Sequence, residues 1–443
     1  MNVAVVVLDT LRKDFFDAHF GWLPGRSYER AYSTANWTVP AHASLFTGRY
    51  ASEVGTHSKH ATLDCAEPTV AERLAAAGYE TRAFSANMQI MDHTRFDRGF
   101  DEFHVPDPVE YVVDDELFDW SKFYHETDLT GIRKHAAALA ECIDADARTV
   151  ASIIDGVRTL YAGTGTIGVE FGGLIEARRT IEGMEFGSDE FLFVNLMETH
   201  GPLRVPNEYR TVPEPPLLDS VGSLNTEGVP ERNAPAYEDC VRYLSDAYRE
   251  FFGLLREEFD YVITLSDHGE QLGENGGWGH EHGVHPALTH IPLTVSGGDF
   301  NGESRAPVNL LDVHRTILEL TGVDGDSRGR SLRDPPEERP LLAEYHGLTR
   351  WSESTLRDEG YDEATVEKYD EPLAGCVMPS GCYGRETVRG FDTHGECDDD
   401  RPRERLEELV SELDVRDTAD RREISDETRE RLALLGYGDS AHS

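Results

Sequence analysis

Three stretches of the chain, Val3–Leu8, Phe191–Leu196 and Tyr261–Leu265, are apolar at nearly every successive position. A strand with one wetted face alternates apolar and polar residues. A continuous run needs cover on both faces, as in a parallel sheet held between layers of helices. Each run ends abruptly in polar residues: Asp9-Thr10-Leu11-Arg12, Met197-Glu198-Thr199-His200-Gly201-Pro202 and Ser266-Asp267-His268-Gly269-Glu270. Ligands of open α/β sheets collect beyond the carboxyl ends of the strands, so these three tails are candidate site segments. A helix-like stretch, Val70–Ala77, stops at Gly78 before a strand-like Glu80–Ser85, which adds a βαβ rhythm. The expected fold is α/β, with a central, mostly parallel sheet flanked by helices.

Asn36–Arg49 reads Asn-Trp-Thr-Val-Pro-Ala-His-Ala-Ser-Leu-Phe-Thr-Gly-Arg. Pro40 suits the first turn of a helix, where its missing N–H has no partner, and Gly48 suits the position just past a helix end. Thr38 then sits at a helix N-terminus, where free N–H groups and the helix dipole favour an anion such as phosphate or sulfate. Its hydroxyl is placed either to cap the helix or to attack the anion. In the other tails, Asp9 is a metal ligand or an N-cap. Asp267-His268 puts a carboxylate beside an imidazole, both good ligands for a borderline divalent metal, with Gly269 allowing a sharp turn behind them.

The pattern Thr-x-Pro-x-His-x-Ser-Leu-x-Thr-Gly-Arg from Thr38 resembles the signature of sulfatase-like members of the alkaline phosphatase superfamily. It looks like the branch with Thr at the nucleophile position, here in a chain of haloarchaeal type. Further likenesses are Gly99-Phe100-Asp101 with Phe103, His200-Gly201-Pro202, Asp267-His268-Gly269 and His290-Ile291-Pro292-Leu293. The resemblance implies an alkaline-phosphatase/sulfatase-like fold over residues 1–325, with a helical insertion near 106–190. A smaller α+β part, 326–443, follows a linker at Arg328–Leu332. The resemblance also implies one divalent metal (Mn, Zn or Mg, with Ca disfavoured because Thr10 replaces a second acid) held by Asp9, Thr38, Asp267 and His268. It implies Thr38 as nucleophile, His200 and His280 as catalytic groups at the ester oxygens, and His42 as support for the anion site. Sulfatases carry Arg where His42 stands, and a Cys or Ser oxidised to formylglycine where Thr38 stands; threonine closes that route. His282 and His285 fall outside the pattern; part of a second metal site is one reading, and solvated loop histidines the favoured one. The implied function is metal-dependent hydrolysis of a sulfate or phosphate ester. The alternatives are a phosphoglycerol-type transferase acting on a glycan or lipid, and an inactive member of the fold.

The 443 residues carry 84 acidic against 42 basic side chains, a net charge of −42 spread along the whole chain. With 17 Tyr and 19 Phe this is not the composition of a disordered acidic chain. It reads as a folded protein of a high-salt cytoplasm, where ions screen the self-repulsion. The same field repels nucleic acid, so the expected partner is a small anionic ester, or a glycan or lipid substrate, held by local cations. The N-terminus shows neither a basic flank nor an apolar run long enough for a signal peptide, and no stretch is long enough for a membrane span. Six cysteines without a Cys-x-x-Cys pair read as reduced thiols.

Overall fold

In the computed structural model, which describes residues 1–106, 142, 173–215, 232–333, 338–395, 397 and 401–417, the first apolar run forms a strand, β1 (Val3–Leu8), buried at every position. Val3, Val5 and Val7 enter one hydrophobic core, and Ala4, Val6 and Leu8 a second. Successive side chains of a strand point to opposite faces, so a strand between two cores is apolar throughout.

In chain order the other strands are β2 (Arg26–Tyr28), β3 (Ala31–Tyr32), β4 (Glu80–Ser85), β5 (Glu102–His104), β6 (Glu190–Leu196), β7 (Tyr261–Leu265), β8 (Gln271–Leu272), β9 (Trp278–Gly279), β10 (His290–Ile291), β11 (Leu293–Ser296), β12 (Gly302–Ser304), β13 (Val308–Asn309), β14 (Leu341–Tyr345), β15 (Leu373–Val377), β16 (Tyr383–Thr387) and β17 (Gly390–His394). Eight of them form the main sheet, in the order β12-β2-β11-β7-β1-β6-β4-β5. β1 lies parallel to β6 and β7, and β4 parallel to β5 and β6. β11 runs antiparallel to both of its neighbours, β7 and β2. The sheet is therefore mixed and mostly parallel. Helices Thr38–Thr47, Val70–Ala76 and Leu310–Thr321 pack into the first core, and Lys13–His19, Leu174–Glu182 and Asn233–Glu258 into the second.

Local chemistry sets the helix ends. Thr69 Oγ1 accepts from Glu72 N at 3.1 Å while Glu72 Oε2 accepts from Thr69 N at 2.8 Å, a reciprocal cap. Leu310–Thr321 starts after Asn309 and stops at Gly322, whose φ of 69° is left-handed.

Near the C-terminus, β14-β15-β16-β17 form an antiparallel sheet that packs Leu342 and Cys376 against Leu406 of the helix Pro402–Ser411. This sheet belongs to the same compact unit as the main sheet; a second unit, Asp107–Phe171 and Pro206–Glu208, lies almost wholly outside the described residues. The expected insertion falls largely there, but Leu174–Glu182 and β6 lie in the main unit. The C-terminal helix expected near 427–435 is also outside the described residues.

Two expectations are corrected. Arg328–Leu332 is packed rather than a free linker: Leu332 is fully buried, its N–H donates to Thr316 Oγ1 at 2.9 Å, and its carbonyl accepts from Tyr28 Oη at 2.7 Å. The cysteines are not all reduced: Cys382 and Cys397 form a disulfide, while Cys65, Cys142, Cys240 and Cys376 are free and buried. The pairing was hidden because a hairpin makes it. β16 and β17 set Tyr383 opposite His394, which returns the chain to Cys382 at a sequence separation of 15.

Candidate active site

Four adjacent parallel strands deliver the polar groups. Asp9 follows β1, Asn87 follows β4, Thr199 and His200 follow β6, and Asp267 and His268 follow β7. Asp9 is held by its backbone: its N–H donates to Leu196 O at 2.9 Å, and its carbonyl accepts from Thr199 Oγ1 at 2.6 Å. Thr10 adopts φ 60°, an uncommon conformation for a β-branched residue. That turn aims its N–H at Asp267 Oδ1, 3.3 Å away, while its carbonyl accepts from Tyr237 Oη at 2.7 Å. Asp267 Oδ1 also accepts from His268 N at 2.9 Å.

The opposite oxygens are unsatisfied. Asp9 Oδ1 and Asp267 Oδ2 are buried without a hydrogen-bond partner. His268 donates Nδ1–H to Gly269 O at 2.9 Å, which turns Nε2 toward them, at 3.8 Å from Asp9 Oδ1 and 3.5 Å from Asp267 Oδ2. Ligand atoms of these three residues all lie within 4.8 Å of one another. Two buried carboxylate oxygens with no protein partner, beside an imidazole nitrogen whose one hydrogen-bond neighbour is the Thr38 hydroxyl, fit a divalent cation. Burial, then the charge of Asp9, pushes Asp267 well above the usual carboxylate range. Burial, then His280, holds His268 well below the usual imidazole range and so neutral, the form that ligates metal.

Thr38 is the first residue of the helix Thr38–Thr47, which ends at left-handed Gly48. Trp37 occupies the cap position, so the Thr38 hydroxyl does not serve as a cap. Oγ1 instead lies 3.3 Å from His268 Nε2 and accepts from Asn87 Nδ2 at 3.3 Å; the same Nδ2 donates to Asp9 Oδ2 at 2.8 Å. His42, one turn on, is fully buried against Phe46, Phe96 and Phe193. Its Nδ1–H donates to Thr38 O at 2.9 Å, its Nε2 accepts from Asn195 Nδ2 at 3.0 Å, and burial lowers its pKa to about 4. It therefore stands behind Thr38 and Asp267, whose Oδ2 is 3.6 Å from Nδ1, as a neutral support.

His280 reaches the site from after β9, its ring centre 4.7 Å from that of His268 and 5.2 Å from that of His200. Although burial pulls its pKa down, Glu270, 2.8 Å from Nδ1, lifts it to about 9, so the ring is cationic at neutral pH. His200 donates Nδ1–H to Gly201 O at 2.7 Å. The expectation that His282 and His285 are solvated loop histidines is corrected. His282 is packed edge-on between Tyr345 and Tyr369, and His285 Nδ1 accepts from Ala287 N at 3.0 Å, capping the short helix Pro286–Thr289.

The structure thus brings Asp9, Thr38, Asp267, His268, His200 and His280 together at the carboxyl ends of the central strands, with His42 behind. Sequence reading missed Asn87, Asn195, Thr199 and Glu270. Asn87 was findable as the polar residue two past the strand-like Glu80–Ser85; Asn195 is masked by its apolar run.

The sulfatase family model matches residues 172–323, the segment that holds His200, Asp267, His268 and His280. A sulfatase from Formosa agariphila is 24% identical over 170 residues, covering 35% of this chain and 33% of that protein. A choline-sulfatase from Rhizobium meliloti is 28% identical over 134 residues, covering 27% and 26%. These matches span about a third or less of each curated relative. Among solved structures, the phosphonate monoester hydrolase SpPMH from Silicibacter pomeroyi superposes with a TM-score of 0.62 at 19% identity, over 93% of this chain and 94% of that one. That likeness is one of fold. No helix among the described residues is long and apolar enough to cross a membrane.

Proposed function

With a sulfatase-family sequence match on an alkaline-phosphatase-superfamily fold as the premise, we propose that this chain is a metal-dependent hydrolase of a sulfate or phosphate ester, with Thr38 as nucleophile. The observation that carries it is the convergence of Asp9 Oδ1, Asp267 Oδ2 and His268 Nε2, two orphaned and buried oxygens with a neutral imidazole, beside Thr38 Oγ1. Those three residues and Thr38 hold one divalent cation (Mn, Zn or Mg), which when bound supplies the positive charge that lowers the Thr38 hydroxyl pKa.

Thr38 Oγ1, its proton released to solvent, adds to the phosphorus or sulfur while the bond to the alcohol oxygen breaks. Asn87 Nδ2 orients the nucleophile by its bond to Oγ1. His280, cationic beside Glu270, neutralises the oxyanion together with His200, and one of the two gives the departing alcohol its proton. Water then displaces Thr38 from the covalent ester and regenerates the hydroxyl. The substrate is a small anionic ester or an esterified glycan or lipid. It is drawn in by His280, since the overall charge of −42 repels anions at long range. The same charge suits a halophilic, archaeal-type protein of a high-salt cytoplasm.

The test is Thr38→Ala, assayed at molar KCl with phosphate monoester, phosphodiester, phosphonate ester and sulfate ester probes. Activity should fall by several orders of magnitude, because nucleophile and metal act as a unit. Thr38→Ser should retain part of it, and slow turnover should leave a phosphorylated or sulfated peptide containing residue 38. Near-normal turnover in Thr38→Ala refutes the proposal. An alcohol acceptor that raises turnover above that in water would convert the hydrolase to a transferase of the same chemistry.

A further inference from the structure

The segment between His268 and His280 folds back on itself. Glu270 stands directly before β8 and His280 directly after β9, and the two short strands pair antiparallel, Gln271 opposite Gly279 and Leu272 opposite Trp278. Extending that register by one pair sets Glu270 opposite His280. Directly opposed residues have Cβ atoms about 4.5–5.5 Å apart, which a carboxylate and an imidazole can bridge. The bridge is made: His280 Nδ1–H donates to Glu270 Oε2 at 2.8 Å, with only 17% and 14% of the two side chains exposed. The turn is tight because Gly273 takes φ 113°.

Both ends of the ribbon are anchored. Arg12 donates from Nη1 to Glu270 O at 3.1 Å and to Glu274 Oε1 at 2.6 Å. Asn36, two residues before Thr38, donates Nδ2–H to His280 O at 2.7 Å. The backbone of His280 is thus tied to the start of the nucleophile helix and its ring to Glu270.

We infer that Glu270 is a positioning residue for His280, fixing the ring by its Nδ1 edge so that Nε2 is the nitrogen left to meet the oxygens of an ester or anion at Thr38. Glu270 itself does not touch the ester. The inference rests on the hydrolase reading and adds to it a residue that the Thr38 and metal chemistry does not require. A histidine in this role needs such a tie, because an untethered imidazole can rotate either nitrogen toward the substrate.

The test uses the full, metal-loaded chain at molar KCl, as wild type, Glu270→Ala, Glu270→Gln, His280→Ala and the Glu270→Ala/His280→Ala double variant. Two quantities are read: the Kd for inorganic phosphate by calorimetry, and kcat and KM on whichever ester probe the wild type turns over. Glu270→Ala should raise the phosphate Kd and lower kcat about 10–100-fold, the usual range for a residue that orients a site ligand. Glu270→Gln, which keeps an acceptor for Nδ1–H, should retain more of both. The double variant should be no worse than His280→Ala alone, because Glu270 acts through His280. The inference is overturned if Glu270→Ala matches wild type, if the Gln and Ala variants are equally impaired, or if the two single losses multiply in the double variant. Phosphate binding reads this coupling even without turnover. An active Thr38→Ala sinks the hydrolase reading separately, whereas an inactive Thr38→Ala with multiplying losses sinks this inference alone.

Discussion

Asp9 and Asp267 face each other across the cation site, and replacing one of them should change stability in opposite directions with and without metal. Their ligand oxygens lie within 4.8 Å of each other and both side chains are buried. At that distance and an effective dielectric constant of about 20, two ionised carboxylates repel by about 3 kcal/mol. Burial and the Asp9 charge accordingly push Asp267 above its ordinary range. A carboxyl whose pKa rises on folding binds more protons folded than unfolded. The metal-free protein therefore loses stability as pH rises through the unfolded value of about 4 toward the folded one.

Asp267→Asn removes one charge and leaves an oxygen able to accept from the Thr10 and His268 amides. At pH 8 in EDTA the variant should be more stable than wild type by up to about 3 kcal/mol, a few degrees in Tm. Saturating Mn²⁺ should reverse the order. Wild type gains about 4 kcal/mol at a free metal concentration a thousandfold above Kd, and the variant, lacking a ligand, gains far less. Thermal unfolding followed by circular dichroism at molar KCl, with EDTA and then with MnCl₂, reads both arms. The reasoning fails if Asp267→Asn is the less stable protein in EDTA, or if Mn²⁺ raises the two Tm values equally.

Four further outcomes are expected. Tm should climb steeply as KCl goes from low to molar concentration, since the charge of −42 repels itself without screening; a flat salt profile would contradict this. Burial lowers His314 to about 3 and His282 to about 4, so their contribution to stability is complete above about pH 6.5 and is lost as pH falls through those values. Unfolding midpoints of the metal-loaded protein at pH 7.5 and 5 should differ accordingly, and identical midpoints would refute the assignment. Asn87→Ala should lower activity about 10–100-fold while costing about 1 kcal/mol of stability, as measured by turnover and urea unfolding. Peptide mapping without reductant should recover Cys382 and Cys397 in one linked fragment.

What the sequence shows plainly is whatever local periodicity encodes. β1, β6 and β7 end where their apolar runs end, and the helix Val70–Ala76 stops just before Gly78. Asp9, Asp267 and His268 were legible because strand-end position alone marks them. Pairing across the chain was not legible. The tie between Glu270 and His280 depends on a ribbon of two short strands that no propensity announces, and the Cys382–Cys397 bond on the return of a hairpin. His282 and His285 looked solvated because they sit in a glycine-rich stretch; only the packing of Tyr345, Tyr369 and the helix Pro286–Thr289 shows His282 half-buried and His285 buried. The resemblance implied His42 as support for the anion site, but its ring is covered by Phe193 and Asn195 of β6 and stands behind Thr38.

β7 and β11 are hydrogen-bonded neighbours, with Leu265 opposite Leu293, so residues 266–292 leave the sheet and return to it at adjacent points. Asp267, His268, Glu270, His280, His282 and His285 all hang on that one closed excursion. Lengthening a loop whose ends are already fixed is inexpensive, about 0.6 kcal/mol for each doubling. The root of the excursion, at Asp267 and His268, is locked to the sheet, while its outer part answers to no strand register of the main sheet. The return limb is pinned as firmly as the root: Val284, Leu288 and Ile291 are buried, Thr289 Oγ1 donates to Tyr383 Oη at 3.0 Å, and Gly269 N–H donates to Leu288 O at 2.8 Å, so a change in that limb is transmitted to the carboxylate and imidazole at the root.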